Sequence, residues 1–202
     1  MLALRGCGYR YPGADRWAFQ DVNLQITPGE IILLRGRNGS GKSTVLKVVC
    51  GILKPTSGTA IADDGVSAVY MDQSADEMLA FDLTVREHLL AFRHDLFTHS
   101  QTLYDRLHEF GIGLETRLDE FVGHLSGGQR QIIALLSTVE SGANLLCLDE
   151  FLSALDVRSV QVATALIQQF VKTKKVSVLA VSHLPVDLSV DREFQWVNGT
   201  LK

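Results

Sequence analysis

Residues 2–11 (LALRGCGYRY) and 17–26 (WAFQDVNLQI) alternate loosely between apolar and polar positions, the period of half-buried β-strands, with the turn Pro12-Gly13 between them. After a second turn, Pro28-Gly29, the run Glu30 to Arg35 (EIILLR) has the continuous apolar character of a strand covered on both faces. A glycine-rich loop, Gly36 to Lys42, leads into TVLKVVCGIL, predicted as a helix that ends at Gly51 or shortly after, ahead of Lys54-Pro55. Val66 to Met71 is predicted as another short strand, running into Asp72-Gln73. From Thr84 to about Phe110 the period lengthens to that of a helix in two pieces, with Leu89, Leu90 and Phe92, then Leu103, Leu107 and Phe110, at helical spacing. Gly127-Gly128 opens a further helix, QRQIIALLSTV. Beyond it come a buried strand (Asn144 to Leu148), an amphipathic helix (Val157 to Val171) and a third buried strand (Val176 to Val181). Phe194 to Val197 and Thr200-Leu201 have the form of a closing hairpin around Asn198-Gly199. Strands alternating with helices predict an α/β fold around a parallel sheet, into which the helical stretch of about residues 74–126 is inserted. There are no internal repeats, low-complexity tracts or linkers.

At 202 residues the chain is expected to be a single domain with a sizeable insertion. Hydrophobic residues make up 46% and charged residues 21%, ordinary for a soluble globular protein. Nineteen basic against 23 acidic residues give a net charge of −4, which argues against wide contact with nucleic acid, because such contact needs a net basic face. It leaves room for a local anion site, since one lysine and a row of backbone amides bind a phosphate on an acidic protein. Cys7, Cys50 and Cys147 are too few and too scattered for a disulfide framework or a zinc site, and are expected to be reduced packing residues. The N-terminus does not resemble a signal peptide, and no apolar run approaches the ~20 residues needed to span a bilayer. The expectation is a soluble chain whose membrane part, if any, is another polypeptide.

Gly36-Arg37-Asn38-Gly39-Ser40-Gly41-Lys42-Ser43 fits the P-loop pattern, a glycine and four residues followed by Gly-Lys-Ser or Gly-Lys-Thr. The glycines let the backbone curl until successive N–H groups point inward at an anion, and the following helix adds its positive end. Lys42 then faces the β- and γ-phosphates, and the Ser43 hydroxyl is placed to coordinate Mg²⁺. Gly36, Asn38, Gly39, Ser40, Gly41, Lys42, Ser43 and Thr44 are therefore the candidate phosphate-binding set.

The run Leu145-Leu146-Cys147-Leu148-Asp149-Glu150 ends an apolar strand in two adjacent acids, which repel each other and lose hydration there. Beside a nucleotide they become useful: Asp149 holds Mg²⁺, and Glu150 orients or deprotonates water.

A third sequence, Leu125-Ser126-Gly127-Gly128-Gln129, is a second anion-binding helix N-terminus in a chain that already has one. One triphosphate needs only one P-loop, so this site must serve another molecule or a partner's nucleotide. With this LSGGQ run intact, the chain resembles the nucleotide-binding subunit of ATP-binding cassette (ABC) transporters over practically its whole length. The resemblance implies one ABC ATPase domain over 1–202. Its P-loop NTPase (RecA-like) core covers about 1–73 and 127–202, with a mixed parallel sheet and an N-terminal antiparallel β-subdomain. An inserted α-helical signature subdomain covers about 74–126.

The resemblance also implies roles. Tyr11 matches the aromatic that stacks on adenine, with Tyr9 as the competing candidate. Gln73 matches the glutamine that reaches Mg²⁺ and the attacking water, and His183 the histidine that contacts the γ-phosphate. Ser153 to Asp156 matches the loop that crosses a dimer interface, where Asp156 is also placed to cap the helix after it. Glu150, His183 and Gln73 are thus the candidate catalytic set, and Ser43, Gln73 and Asp149 the candidate metal set. Ser126, Gly127, Gly128 and Asp156 complete the nucleotide site across a head-to-tail dimer. The implied ligands are ATP and Mg²⁺. The implied partners are an integral membrane transporter subunit and a second copy of the chain or a homologous ATPase, with no nucleic acid. The implied location is cytoplasmic, on the inner face of the membrane, with the motion passed to the membrane partner through a groove beside Gln73 and the helical insertion. Thr84 to Phe97 has enough apolar residues to line it, though most of these are expected to pack within the helices.

Four positions depart from the family pattern: Ile132 replaces an arginine, Phe151 a proline, Leu152 a small polar residue and Leu184 an acidic one. None touches phosphate in that pattern, so ATP hydrolysis stays the expectation, and an unusual core around Asp149-Glu150 is predicted. The alternative is a soluble ATPase of the same superfamily not coupled to transport, such as one serving iron–sulfur cluster assembly. Chromosome and repair members need coiled coils longer than this insertion, translation members carry two cassettes, and a non-hydrolysing regulator would not need Glu150, His183 and Gln73 together.

Overall fold

A computed structural model describes residues 1–92, 100–108, 111, 113–183 and 188–202. Phe97, Phe110 and Leu184 lie outside the described residues. The strands are β1 (Leu2–Tyr9), β2 (Phe19–Ile26), β3 (Ile31–Gly36), β4 (Ser57–Ala62), β5 (Ala68–Met71), β6 (Leu145–Asp149), β7 (Ser177–Val181), β8 (Arg192–Val197) and β9 (Thr200–Leu201). The α-helices are α1 (Lys42–Val49), α2 (Val85–Phe92), α3 (Ser100–His108), α4 (Gly127–Glu140) and α5 (Val157–Lys174).

Two sheets form. One is antiparallel, in the order β2-β1-β4; the other runs β5-β6-β7-β3-β8-β9 and is parallel except for the last pair. The central strands LLCLD and SVLAV are buried at every position because both faces of the large sheet are covered. Their side chains divide by the period of two. Leu33, Leu146, Leu148, Val178 and Ala180 pack into one core with α4, α5 and the helical region. Ile32, Leu34, Leu145, Cys147, Leu179 and Val181 pack into a second core with α1 and the antiparallel sheet. Burying each such aliphatic side chain is worth roughly 1.5–3 kcal/mol, so this interleaving fixes the register of the strands and therefore of the loops at their ends.

Strand β4 escaped the sequence pattern. Its residues, SGTAIA, are small and largely exposed, so the apolar alternation of a half-buried strand is missing. Strand β8 does form the expected hairpin with β9 around Asn198 (φ 49) and Gly199 (φ 78), but it also pairs in parallel with β3. The stretch expected to be helical is less regular than the periodicity suggests. Between residues 74 and 126 the described residues form α2, α3 and three 3₁₀ turns, with a bridge between Thr84 and Phe121. Thr84 starts α2 through a capping box: its N–H donates to Glu87 Oε2 at 2.8 Å, and the Glu87 N–H donates to Thr84 Oγ1 at 3.2 Å.

Ile132, Phe151 and Leu152 are all buried in the core that contains α4 and α5. Gln131 donates from Nε2 to Phe151 O at 3.0 Å, tying α4 to the segment after β6. The departures at these positions are therefore one apolar packing unit.

Candidate functional site

The loops that follow four adjacent parallel strands meet at one edge of the large sheet. The P-loop follows β3, Gln73 follows β5, Glu150 follows β6 and His183 follows β7. In open α/β sheets this carboxyl edge is where ligands bind. A cleft of about 740 Å³ opens there, lined by Tyr11, Trp17, the backbone and side chains of 38–44, Gln73, Glu150 and the Asn198-Gly199 turn. A smaller cavity of about 170 Å³ lies at the opposite edge, against Leu2, Leu145 and Ser177, which begin β1, β6 and β7.

The P-loop is wound around its own lysine. Lys42, only 5% exposed, donates from Nζ to Gly36 O and Arg37 O, both at 2.8 Å. Two of the ammonium's three donors are used, and one is left for a ligand. Burial pushes the Lys42 pKa down, while the carboxylates of Glu150 and Asp149 pull it back up. Gly41 has φ 99, and a Cβ there would stand 2.1 Å from Ala18 O, so both the conformation and the space require glycine.

Asp149 is 3% exposed at the end of β6. Tyr70, on the neighbouring strand β5, donates its phenolic hydrogen to Asp149 Oδ2 at 2.9 Å. Burial raises the Asp149 pKa, opposed by Ser43 and Tyr70, and the carboxylates of Asp72 and Glu150 raise it further. Asp149 Oδ1 is buried with no hydrogen-bond partner. An orphaned carboxylate oxygen beside a serine hydroxyl fits a hard dication, whose ligands are oxygens. Among the described residues there is no cluster of three His, Cys, Asp or Glu side chains placed to hold a metal ion.

Glu150 has a left-handed backbone, φ 44, unusual for a residue with a side chain, and its N–H is held by Val181 O at 3.0 Å. That turn directs the carboxylate into the cleft, where Oε2 lies 3.0 Å from His183 Nδ1. Between the two tyrosines the structure discriminates. Tyr9 is in the core beneath the antiparallel sheet, whereas Tyr11 is 46% exposed, lines the cleft and shares a 3.2 Å hydrogen bond with Thr44 Oγ1.

Ser126, Gly128 and Asp156 line a separate cleft of about 230 Å³ that shares no lining residue with the first. Ser126 caps α4 through a capping box with Gln129, its Oγ accepting the Gln129 N–H at 3.3 Å. Asp156 caps α5, accepting the Ser159 N–H at 2.7 Å. Two helix N-termini thus converge on one cavity, with Ile132 in its wall. Within one chain, the predicted binding residues fall into two halves that do not face the same space.

Sequence reasoning missed Tyr70, Trp17 and Trp196. Each reads as an ordinary strand or loop aromatic; strand pairing sets Tyr70 and Trp196 against the site residues, and Trp17 lines the cleft from the loop before β2. Cys50 and Cys147, distant in sequence, are neighbours in space, and both are free thiols.

Residues 19–153 match the family described as ABC transporter. The aliphatic sulfonates import ATP-binding protein SsuB 1 of Rhodococcus jostii is 31% identical over 90% of this chain and 72% of its own length. The zinc import ATP-binding protein ZnuC of Rickettsia bellii is 34% identical over 84% of this chain and 71% of its own. Among solved structures, a dimeric ATP-binding cassette bound to ADP and Pi in a post-hydrolysis state superposes with a TM-score of 0.81. It is 22% identical and covers 100% of this chain and 97% of the other. The α/β core, the antiparallel sheet and the helical insertion are thus the fold of an ATP-binding cassette.

Proposed function

The chain belongs to the ABC transporter family, and from that premise we propose that it is the ATP-hydrolysing subunit of a membrane transport complex. The observation that carries this reading is the convergence of Lys42, Gln73 and Glu150 on the one cleft that also holds the P-loop backbone and Tyr11. Relatives named as import ATP-binding proteins favour coupling to transport over a transport-free ATPase.

Tyr11 provides a face for the adenine ring, and the P-loop amides and Lys42 hold the phosphates. Ser43 and Asp149, with Gln73 nearby, are the residues that would hold Mg²⁺, which when bound neutralises charge on the phosphates. Glu150 takes a proton from the water that attacks the γ-phosphorus, and the bond to the β,γ-bridging oxygen breaks to leave ADP and inorganic phosphate. His183, with Nδ1 3.0 Å from Glu150 Oε2, stands beside that carboxylate and faces the γ-phosphate. Ser126, Gly127, Gly128 and Asp156 act on the nucleotide held by a second copy of the chain or a homologous subunit, which accounts for the two clefts. ATP then joins two subunits, and loss of the γ-phosphate lets them part.

Among the described residues no helix is long and apolar enough to cross a membrane. On this reading the pathway for the cargo belongs to a membrane partner on whose cytoplasmic side this subunit docks. The test has two parts. The wild-type chain should hydrolyse Mg²⁺-ATP and co-purify with an integral membrane protein from detergent-solubilised membranes. Turnover in a chain that associates with no membrane protein would favour the transport-free alternative, and no turnover even with the partner present would remove the ATPase reading.

A further inference from the structure

Trp196 is one of the chain's two tryptophans, lies on β8 and is 2% exposed. Its ring packs edge-on against Phe19, with centroids 6.0 Å apart. Its only polar atom, the indole N–H, donates to Ser40 O at 2.6 Å, in the middle of the P-loop. Around this bond three backbones touch. A Cβ on Gly36 would lie 2.4 Å from Trp196 O, one on Gly41 2.1 Å from Ala18 O, and one on Gly199 2.9 Å from Phe19 Cα. The P-loop, the start of β2 and the β8–β9 turn are thus pressed together, with Trp196 at the centre.

The geometry of the peptide unit gives this contact a consequence. In a trans peptide the C=O and N–H point in opposite directions. The Ser40 carbonyl points into the protein at Trp196, so the Gly41 N–H of the same unit points the other way, toward the cleft. Inverting that unit needs rotation about ψ of Ser40 and φ of Gly41, and glycine offers little resistance. Without a tether, the unit could turn its carbonyl toward the phosphates.

We propose that Trp196 is a positioning residue for nucleotide binding. Its indole N–H locks the Ser40–Gly41 peptide with the amide facing the phosphates. The inference rests on the reading of Gly36 to Thr44 as the nucleotide site. A hydrogen bond of this kind is worth roughly a 3- to 10-fold change in an equilibrium, and because P-loop amides hold the phosphates that ADP and ATP share, both nucleotides lose affinity equally.

The experiment compares the full chain with two variants: Trp196→Phe, and a chain with benzothienylalanine at 196, which keeps the bicyclic shape and replaces N–H by sulfur. ADP and ATP dissociation constants are measured with a fluorescent nucleotide, alongside kcat at saturating Mg²⁺-ATP and the melting temperature. The expected result is an equal loss of ~3- to 10-fold in both affinities, with kcat and melting temperature of the benzothienyl chain close to wild type. Wild-type affinities in that chain, or a lowered kcat with affinities unchanged, would overturn the proposal. Should Trp196→Phe not fold, the isosteric chain decides alone. Lys42→Ala is measured in parallel: a loss there with none in the Trp196 variants sinks the role of Trp196 alone. No loss in any variant sinks the nucleotide-site reading itself.

Discussion

His183 Nδ1 stands 3.0 Å from Glu150 Oε2, across the ends of two neighbouring parallel strands. Glu150 is buried and lines the cleft, and His183 is half open to solvent, so the pair joins a sheltered carboxylate to an exposed imidazole. The left-handed turn at Glu150 makes this approach possible, by turning the side chain away from the strand direction of β6.

Glu150→Gln keeps the shape of the side chain and removes the base. Turnover should fall by ~10²- to 10⁴-fold while ATP affinity stays near wild type. Because hydrolysis is what releases the two subunits, the variant should accumulate as an ATP-bound dimer. Size-exclusion chromatography with light scattering, with and without Mg²⁺-ATP, measures this directly. Wild-type turnover would take Glu150 out of the catalytic role.

Lys42→Ala removes the ammonium from the centre of the P-loop together with the bonds it gives to the carbonyls of Gly36 and Arg37. Charge-assisted hydrogen bonds to phosphate are lost with it, so nucleotide affinity should drop by at least ~10-fold and turnover should vanish. Equilibrium binding of ATP with wild-type affinity would contradict the placement of the phosphates.

How much of this was legible in the sequence depended on whether the signal was local. The P-loop glycines, the two carboxylates after β6 and the Ser-Gly-Gly-Gln start of α4 are contiguous patterns whose chemistry is set by spacing, and each was placed from the chain alone. Tyr70 was not, because its partner Asp149 is brought to it by the pairing of Tyr70 with Cys147 and Met71 with Leu148 between β5 and β6. Trp196 looked like part of a hairpin, since nothing local says that β8 also lies against β3. Strand β4 carried no apolar stripe to detect. The separation of Ser126 and Asp156 from the P-loop cleft is a property of the whole fold, although the surplus of anion sites already pointed to a second molecule.

Tyr70→Phe tests the support of Asp149. The substitution keeps the ring, which has Lys47 Nζ 5.3 Å from its centroid, and removes the hydroxyl that donates to Asp149 Oδ2 and also faces Asp72. Mg²⁺ should then be needed at ~3- to 10-fold higher concentration for half-maximal ATPase activity, with ATP binding in EDTA unchanged. An unchanged Mg²⁺ requirement would leave Tyr70 a packing residue.

Stability should depend on pH through His88, which is 2% exposed between α2 and α4. Ser137 Oγ lies 3.2 Å from His88 Nε2 and 2.9 Å from Ile133 O. Burial lowers the His88 pKa below its ordinary 6.5. On acidification the unfolded chain therefore takes up the proton first, and stability falls as pH drops below about 6.5, by at most ~1.4 kcal/mol per pH unit. Urea unfolding at pH 7.5 and 5.5 should show a smaller loss for His88→Leu than for wild type. Equal losses would assign the pH dependence to other groups.

Gly128→Asp tests the split of the site between two subunits. Gly128 has no left-handed φ, and a Cβ there would meet only Ala154 O at 3.6 Å and a Leu155 methyl at 3.9 Å, ordinary contact distances. The chain should fold, the more so because a carboxylate at a helix N-terminus suits the helix dipole. The same carboxylate occupies the place proposed for the other subunit's γ-phosphate, and like charges there should keep the subunits apart. Since the 230 Å³ cleft around Ser126 and Gly128 shares no residue with the P-loop cleft, ATP binding to the monomer should stay within ~2-fold of wild type. Turnover should disappear, and in a Glu150→Gln background the ATP-dependent dimer should no longer form. If a folded Gly128→Asp chain instead loses monomer binding, Gly128 acts on its own subunit's nucleotide and the head-to-tail arrangement is wrong.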